Sequence, residues 1–80
     1  MTPKLWQRAR QSRTLLEAHK ALSALRPATD APLSVWRTYY RQSAAIYAEV
    51  AEIDRAHHHE ALYWSRRELQ RAETLTNNTN

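Results

Sequence analysis

The fold is decided by residues 33–75, which read LSVWRTYYRQSAAIYAEVAEIDRAHHHEALYWSRRELQRAETL. This stretch contains neither glycine nor proline, and it is rich in alanine, leucine, arginine and glutamate, which favour helices. One stripe of mostly apolar residues recurs at close to the helical repeat of about 3.6 residues. Its members are Trp36, Tyr39, Tyr40, Ser43, Ile46, Tyr47, Val50, Ile53, His57, Ala61, Trp64, Glu68, Ala72 and Leu75. The pattern predicts one helix of about 65 Å.

A shorter helix is predicted upstream, over residues 3–25. Thr2 suits its N-cap and Pro3 its first helical position, where the missing N–H of proline has no consequence. No helix breaker follows Pro3 until Pro27. We therefore expect an uninterrupted helix of about 35 Å.

Residues 26–32 read RPATDAP and predict the connecting loop, because their two prolines stiffen the chain and oppose helix. The sequence thus predicts an all-α fold, an antiparallel hairpin of the two long helices. Residues 1–75 form one domain in this interpretation, and the polar residues 76–80 form a frayed tail.

The two predicted helices differ in length, so the first covers only about half of the second. Two arrangements solve this mismatch. In one, the chain bends near residues 54–59, Asp54 caps a third helix, and a three-helix bundle closes. In the other, which we favour from the sequence, the helix is continuous and its uncovered half pairs with a second copy. The predicted partner interface consists of Leu62, Tyr63, Trp64 and Leu69.

The composition excludes several classes of site. Because the chain has no cysteine, it has no disulfide and no thiolate zinc site. Because it has no glycine, it lacks the phosphate-binding loops of dinucleotide and Walker-type sites. No activated nucleophile or catalytic carboxylate pair is recognisable, so we predict no enzyme activity and no cofactor. The sequence has no apolar run of about 18 residues and no signal-peptide pattern, which predicts a cytoplasmic protein without membrane contact.

The run DRAHHHE, which begins at Asp54, is the most unusual cluster. On a helix, Asp54, His57, His58 and Glu60 lie on neighbouring faces, where imidazole and carboxylate groups can share a divalent metal. His19 or a second copy of the chain would add ligands. Two alternatives stay open: histidines held by structural hydrogen bonds, and a pH-sensitive interface of imidazoles that titrate near neutrality.

The net charge of +4 is unevenly distributed, with +5 in residues 1–26 and −1 in residues 27–80. The excess indicates a nucleic-acid surface on the first helix, where basic side chains contact phosphates and a tryptophan stacks on a base. The candidate contacts are Lys4, Trp6, Arg8, Arg10 and Arg13. The alternative is a solvated helix surface, and no second basic patch is predicted.

A resemblance rests on residues 54–64, DRAHHHEALYW, preceded by YAEVA at residues 47–51. This run resembles a signature of small uncharacterised helical proteins in actinobacteria. The resemblance extends over about residues 16–69, and it implies a bacterial source but no activity and no site residue.

Together these observations predict a noncatalytic helical interaction module. It would be a small bacterial adaptor or regulatory protein that acts as a homodimer and binds another protein. Two alternatives stay open: a nucleic-acid-associated regulator that uses the basic first helix, and a metal-binding helical protein that uses the cluster at residues 57–60.

Overall fold

The computed structural model describes residues 3–78, and its regular structure is entirely helical. Its elements are α1 (Pro3–Arg10), α2 (Leu15–Ala24), α3 (Leu33–Ile53), a 3-10 turn (Arg55–His57) and α4 (His58–Asn78). No strand occurs in the described range, so the all-α prediction is confirmed. The first helix begins at Pro3 as predicted, whereas the proposed N-cap Thr2 lies outside the described residues. Within that range no helix combines the length and hydrophobicity needed to span a membrane.

The single helix predicted over residues 3–25 is wrong, because the chain turns between α1 and α2. Thr14 has an extended backbone (φ −132°, ψ 158°), and its Oγ1 accepts a hydrogen bond from the N–H of Glu17 at 3.1 Å. Glu17 Oε1 in turn accepts from the N–H of Arg13 at 2.8 Å. This is a capping box in which Glu17 accepts from the residue before the N-cap rather than from Thr14 itself, and it starts a new helix at Thr14.

The continuous helix predicted over residues 33–75 is also wrong. Helix α3 ends at Ile53, and Asp54 has a nonhelical backbone (φ −91°, ψ 78°). The bend lies where the alternative arrangement placed it, but Asp54 does not cap the turn that follows it. Its Oδ2 accepts instead from the N–H of Leu15 at 3.0 Å. Asp54 therefore satisfies the first backbone donor of α2, one of the donors that a helix start leaves without an intrahelical acceptor.

Helices α3 and α4 pack antiparallel, which two side-chain hydrogen bonds define. The Nδ1 of His58 lies 2.7 Å from the carbonyl oxygen of Ala51, and Ser65 Oγ donates to the carbonyl of Ala44 at 2.8 Å. The later residue of α4, Ser65, contacts the earlier residue of α3, Ala44, which is the order of an antiparallel pair. The half of the predicted long helix that lacked a partner is covered within one chain. Helix α4 reaches Asn78, three residues past the predicted end, and the last two residues lie outside the described range.

Helix α2 packs against α3, and its His19 also contacts Trp64 of α4. The core forms where α1, α2 and α4 meet α3. Val50 is 1% exposed at its centre. The cluster also contains Ala9, Leu15, Ala18, Leu22, Ile46, Tyr47, Ala51 and Ala61, with Trp6, Ala21, Leu25, Leu62 and Trp64 packed against it. Several of these residues are alanines, which leave room for bulky rings from neighbouring helices. The Tyr39 hydroxyl donates to the carbonyl of Leu22 at 2.8 Å near the end of α2.

Candidate functional site

The histidine cluster forms a corner between α3 and α4 rather than one face of a helix. His57 Nδ1 lies 2.9 Å from Asp54 Oδ2, and His58 Nδ1 is directed at the carbonyl of Ala51. His59 and Glu60 are exposed. Among the residues that the structure describes, no group of three or more histidine, cysteine, aspartate or glutamate side chains is placed to hold a metal. The corner brings Asp54 and His57 into contact, but not the full set of four predicted ligands. Metal binding and the pH-sensitive interface both stay predictions.

Asp54 connects three parts of this corner. Its carboxylate accepts from the N–H of Leu15 and faces the ring of His57. The hydrogen bond from Leu15, reinforced by His57, lowers the pKa of Asp54 below its ordinary value. The bond between Asp54 and His57 agrees with the structural alternative, whereas nothing in the sequence spacing indicated the contact with Leu15.

His19 is half-buried and packs against residues of α3 and α4. Its Nδ1 is 2.7 Å from the hydroxyl of Tyr47, and its ring meets that of Trp64 nearly at right angles, with 5.0 Å between centroids. Burial lowers the pKa of His19, and the charge of Glu60 offsets part of this effect. His19 is therefore a packed, neutral-favouring histidine.

Two of the four residues predicted at the partner interface pack against the core of the same chain instead. Trp64 stacks on Tyr47 with centroids 6.1 Å apart, and Leu62 packs against the same cluster. The prediction that they lack a partner within the chain is wrong, because α4 folds back on α3. Tyr63 and Leu69 remain open to solvent, 56% and 47% exposed.

The predicted nucleic-acid surface is divided by the turn after α1. The side chains of Lys4, Arg8, Arg10 and Arg13 are exposed, with Arg13 in the turn itself. The ring of Trp6, by contrast, packs against the core and meets Tyr39 edge-on, with 6.0 Å between centroids. The Trp6 ring, which the sequence predicts to stack on a base, therefore packs within the fold instead.

A second basic patch, which the sequence interpretation did not predict, lines an open groove of about 680 Å³ along α4. We call it the arginine groove. It is lined by Tyr40, His59, Tyr63, Arg66, Arg67, Gln70, Arg71, Thr74 and Leu75. All but Tyr40 come from α4 and recur every three or four residues, so one helix face carries them. Among the residues that the structure describes, none that lines the groove is acidic.

Aromatic rings hold two of these arginines in place. The guanidinium of Arg71 lies 5.7 Å from the ring centroid of Tyr40, and that of Arg67 lies 5.4 Å from the centroid of Trp64. These are cation–π distances, which fix the guanidinium and leave its N–H donors available. For Arg66, no carboxylate within residues 3–78 lies at salt-bridge distance.

Glu68 lies in an adjoining cleft that Arg67 and Arg71 also line. Its Oε2 lies 3.7 Å from Nε of Arg71. Burial raises the pKa of Glu68, while the surrounding arginines act in the opposite direction. Glu68 neutralises part of the positive charge beside the groove and leaves a net excess along it.

A signal for the groove was present in the sequence. Tyr63, Arg66, Arg67 and Arg71 lie at helical spacing, on a face beside the buried stripe through Ala61. Acidic residues elsewhere in residues 27–80 bring the net charge of that segment close to zero, so the net charge of the segment does not reveal this basic face.

Comparison with models of protein families, with curated proteins and with solved structures finds no match to this chain. The resemblance to actinobacterial helical proteins therefore stays a prediction.

Proposed function

We propose that this protein is a noncatalytic helical interaction module that binds an anionic partner in the arginine groove. One observation carries the proposal: within residues 3–78, three arginines line the groove and no carboxylate does. Guanidinium groups stay charged at every physiological pH and form paired hydrogen bonds with carboxylates and phosphates. A groove of this chemistry favours an anion over a neutral ligand.

The composition of the groove supports binding rather than catalysis. His59 is the histidine of the groove, and no carboxylate of the described residues lines the groove to orient that histidine as a general base. The remaining polar groups are amide and hydroxyl groups that suit hydrogen bonding to a ligand. This agrees with the absence of an enzyme signature in the sequence.

We keep four further properties as proposals from the sequence: a bacterial source, a cytoplasmic location, an adaptor or regulatory role, and a homodimer. The length mismatch that first favoured a dimer is now resolved within one chain. What supports self-association is the exposure of Tyr63 and Leu69 on α4. Metal binding at the histidine corner and nucleic-acid binding by α1 also stay alternatives.

Inorganic polyphosphate is the probe for this proposal, because it offers anionic charge without bases or peptide groups. The test variant replaces Arg66, Arg67 and Arg71 by glutamine. The matched control replaces the exposed Arg8, Arg10 and Arg13 by glutamine, which changes the net charge equally. Calorimetric titration should give binding to the wild type and the control, and strongly reduced binding to the groove variant. Equal loss in both variants would assign binding to net charge, and no binding by the wild type would overturn the proposal.

A further inference from the structure

We propose that the partner in the arginine groove is a single-stranded nucleic acid. This inference rests on the proposed function and names the class of anion that the groove accepts. It depends on two features: guanidinium groups without a full set of acidic partners, and an exposed aromatic ring among them.

The groove alternates charge with aromatic surface. Tyr63 is 56% exposed and lies one helical turn before Arg66 and Arg67 on the same face. Its ring meets Trp64 edge-to-face, with 5.6 Å between centroids and an interplanar angle of 82°, so packing within the chain orients it. Grooves that bind single strands combine basic side chains for the backbone with aromatic rings on which bases stack.

The guanidinium groups of the groove are not all paired with carboxylates, so they can bind phosphate. Arg66 has no carboxylate partner within the described residues, and Arg67 is held over Trp64 by a cation–π contact. Arg71 shares its charge with Glu68 at 3.7 Å while lying over Tyr40. Two guanidinium groups and part of a third are therefore available to a phosphate chain.

An acidic helix from another protein fits this groove less well. Helices that dock in grooves are anchored by apolar side chains at i, i+3, i+4 and i+7, which need an apolar floor. The only aliphatic residue that lines the arginine groove is Leu75. Its other surfaces are rings, guanidinium groups and polar side chains, which suit flat bases and phosphates better than leucine or methionine side chains.

Duplex DNA fits the arginine groove less well than a single strand. In a duplex the bases are paired and stacked, and only their edges are open in the grooves. Their faces are therefore closed to the ring of Tyr63, which is exposed in the arginine groove. A flexible single strand can place an unstacked base on that ring.

Fluorescence anisotropy with labelled oligothymidylate and oligouridylate of about 12 nucleotides tests the inference. A duplex of the same length and polyglutamate serve as competing ligands. We expect both single strands to bind more tightly than the duplex and polyglutamate to compete weakly. With three phosphates neutralised, log affinity should fall with log salt at a slope of about −2, which is roughly 20-fold between about 50 and 200 mM salt. The relative affinity for the two single strands identifies the preferred sugar.

Substitutions separate stacking from charge. Tyr63→Ala should weaken binding of single strands by at least about fivefold, the lower range for loss of one stacked base, and Tyr63→Phe should lose less. Leu16→Ala, at a similarly exposed position on α2 and outside the groove, is the control. Arg66→Gln, Arg67→Gln and Arg71→Gln together should reduce affinity by roughly 100-fold at about 0.1 M salt and flatten the salt dependence. Circular dichroism melts check that each variant is folded.

The outcomes separate the two proposals. If polyphosphate or polyglutamate binds in the groove but the oligonucleotides do not, the nucleic-acid inference is overturned and the proposed function stands. If the duplex binds as tightly as the single strands, or if Tyr63→Ala binds like the wild type, the stacking argument is overturned. If none of the anions binds, both proposals are overturned.

Discussion

The carboxylate of Asp54 accepts a hydrogen bond from the backbone N–H of Leu15, 3.0 Å away and 39 residues distant in the chain. Asp54 follows the last residue of α3, and Leu15 is the first residue of α2. One side chain thus supplies the negative charge that a helix start favours and fixes the bend before α4. The His57 ring on the same oxygen joins the start of α4 to this point.

Loss of the Asp54 carboxylate is expected to destabilise the whole fold. Asp54→Ala should lower Tm by roughly 4–8 °C, the effect of losing one helix cap in a chain of this size. Asp54→Asn keeps an acceptor and should lose less. Asp30→Ala, in the exposed loop before α3, is the control and should leave Tm nearly unchanged. Equal melting temperatures for Asp54→Ala and Asp30→Ala would contradict the capping role.

The pKa of His19 predicts weaker folding in mild acid. Burial holds this pKa below the unfolded value of 6.5, so between the two values the unfolded chain binds more protons than the folded chain. Stability should therefore be full above about pH 6.5 and fall as the pH drops toward the folded pKa of His19. Urea unfolding at several pH values measures the slope. The same fall in a His19→Asn variant would assign it to other groups, and exposed His59→Asn serves as the control.

Loss of the capping box at Thr14 is predicted to destabilise the start of α2. Thr14→Ala should lower the free energy of unfolding by about 1 kcal/mol, because the N–H of Glu17 loses its acceptor. Thr14→Ser keeps the oxygen and should recover most of that loss. Thr29→Ala in the exposed loop is a matched threonine control. Chemical denaturation compares the four proteins, and an unaffected Thr14→Ala variant would mean that α2 begins without this cap.

Replacement of Trp64 is predicted to lower the stability of the fold rather than only to weaken association between chains. Trp64→Ala removes a ring that contacts His19 and Tyr47 and should cost about 2–4 kcal/mol, in view of its partial exposure. Leu69→Ala, on the exposed side of α4, should stay within about 0.5 kcal/mol. Denaturant curves and light scattering on the same samples separate stability from mass. A folded Trp64→Ala protein with wild-type stability and reduced mass would restore the original interface prediction.

The sequence predicted the helical class and the main loop but not the helix ends. Periodicity identifies many of the residues that face the core, but it does not reveal the bend, where the stripe members Ile53 and His57 are exposed. The break at Thr14 was predictable, since Thr14 and Glu17 have capping-box spacing. The break at Asp54 was not, because its carboxylate is satisfied by a backbone group that is distant in sequence.

Prediction of the functional surface failed for a related reason. Trp6 and Trp64 were assigned to partners because their intrachain contacts, with Tyr39 and Tyr47, depend on how the helices fold back. The charge of the arginine groove was hidden by acidic residues near the α3–α4 corner, such as Glu52. The net charge of a segment does not distinguish an acidic corner from a basic groove on the same helix pair. The position of each charged residue on its helix face does.

The way α3 and α4 meet across a turn of four residues has a consequence for the order of folding. Closing this short turn costs little chain entropy, whereas docking the α1–α2 arm through Leu15 and Asp54 closes a much longer loop. The α3–α4 pair should form first, and hydrogen exchange should be slowest near Val50 and fastest in α1. Because the arginine groove lies wholly on this pair, it would remain assembled when the N-terminal arm opens.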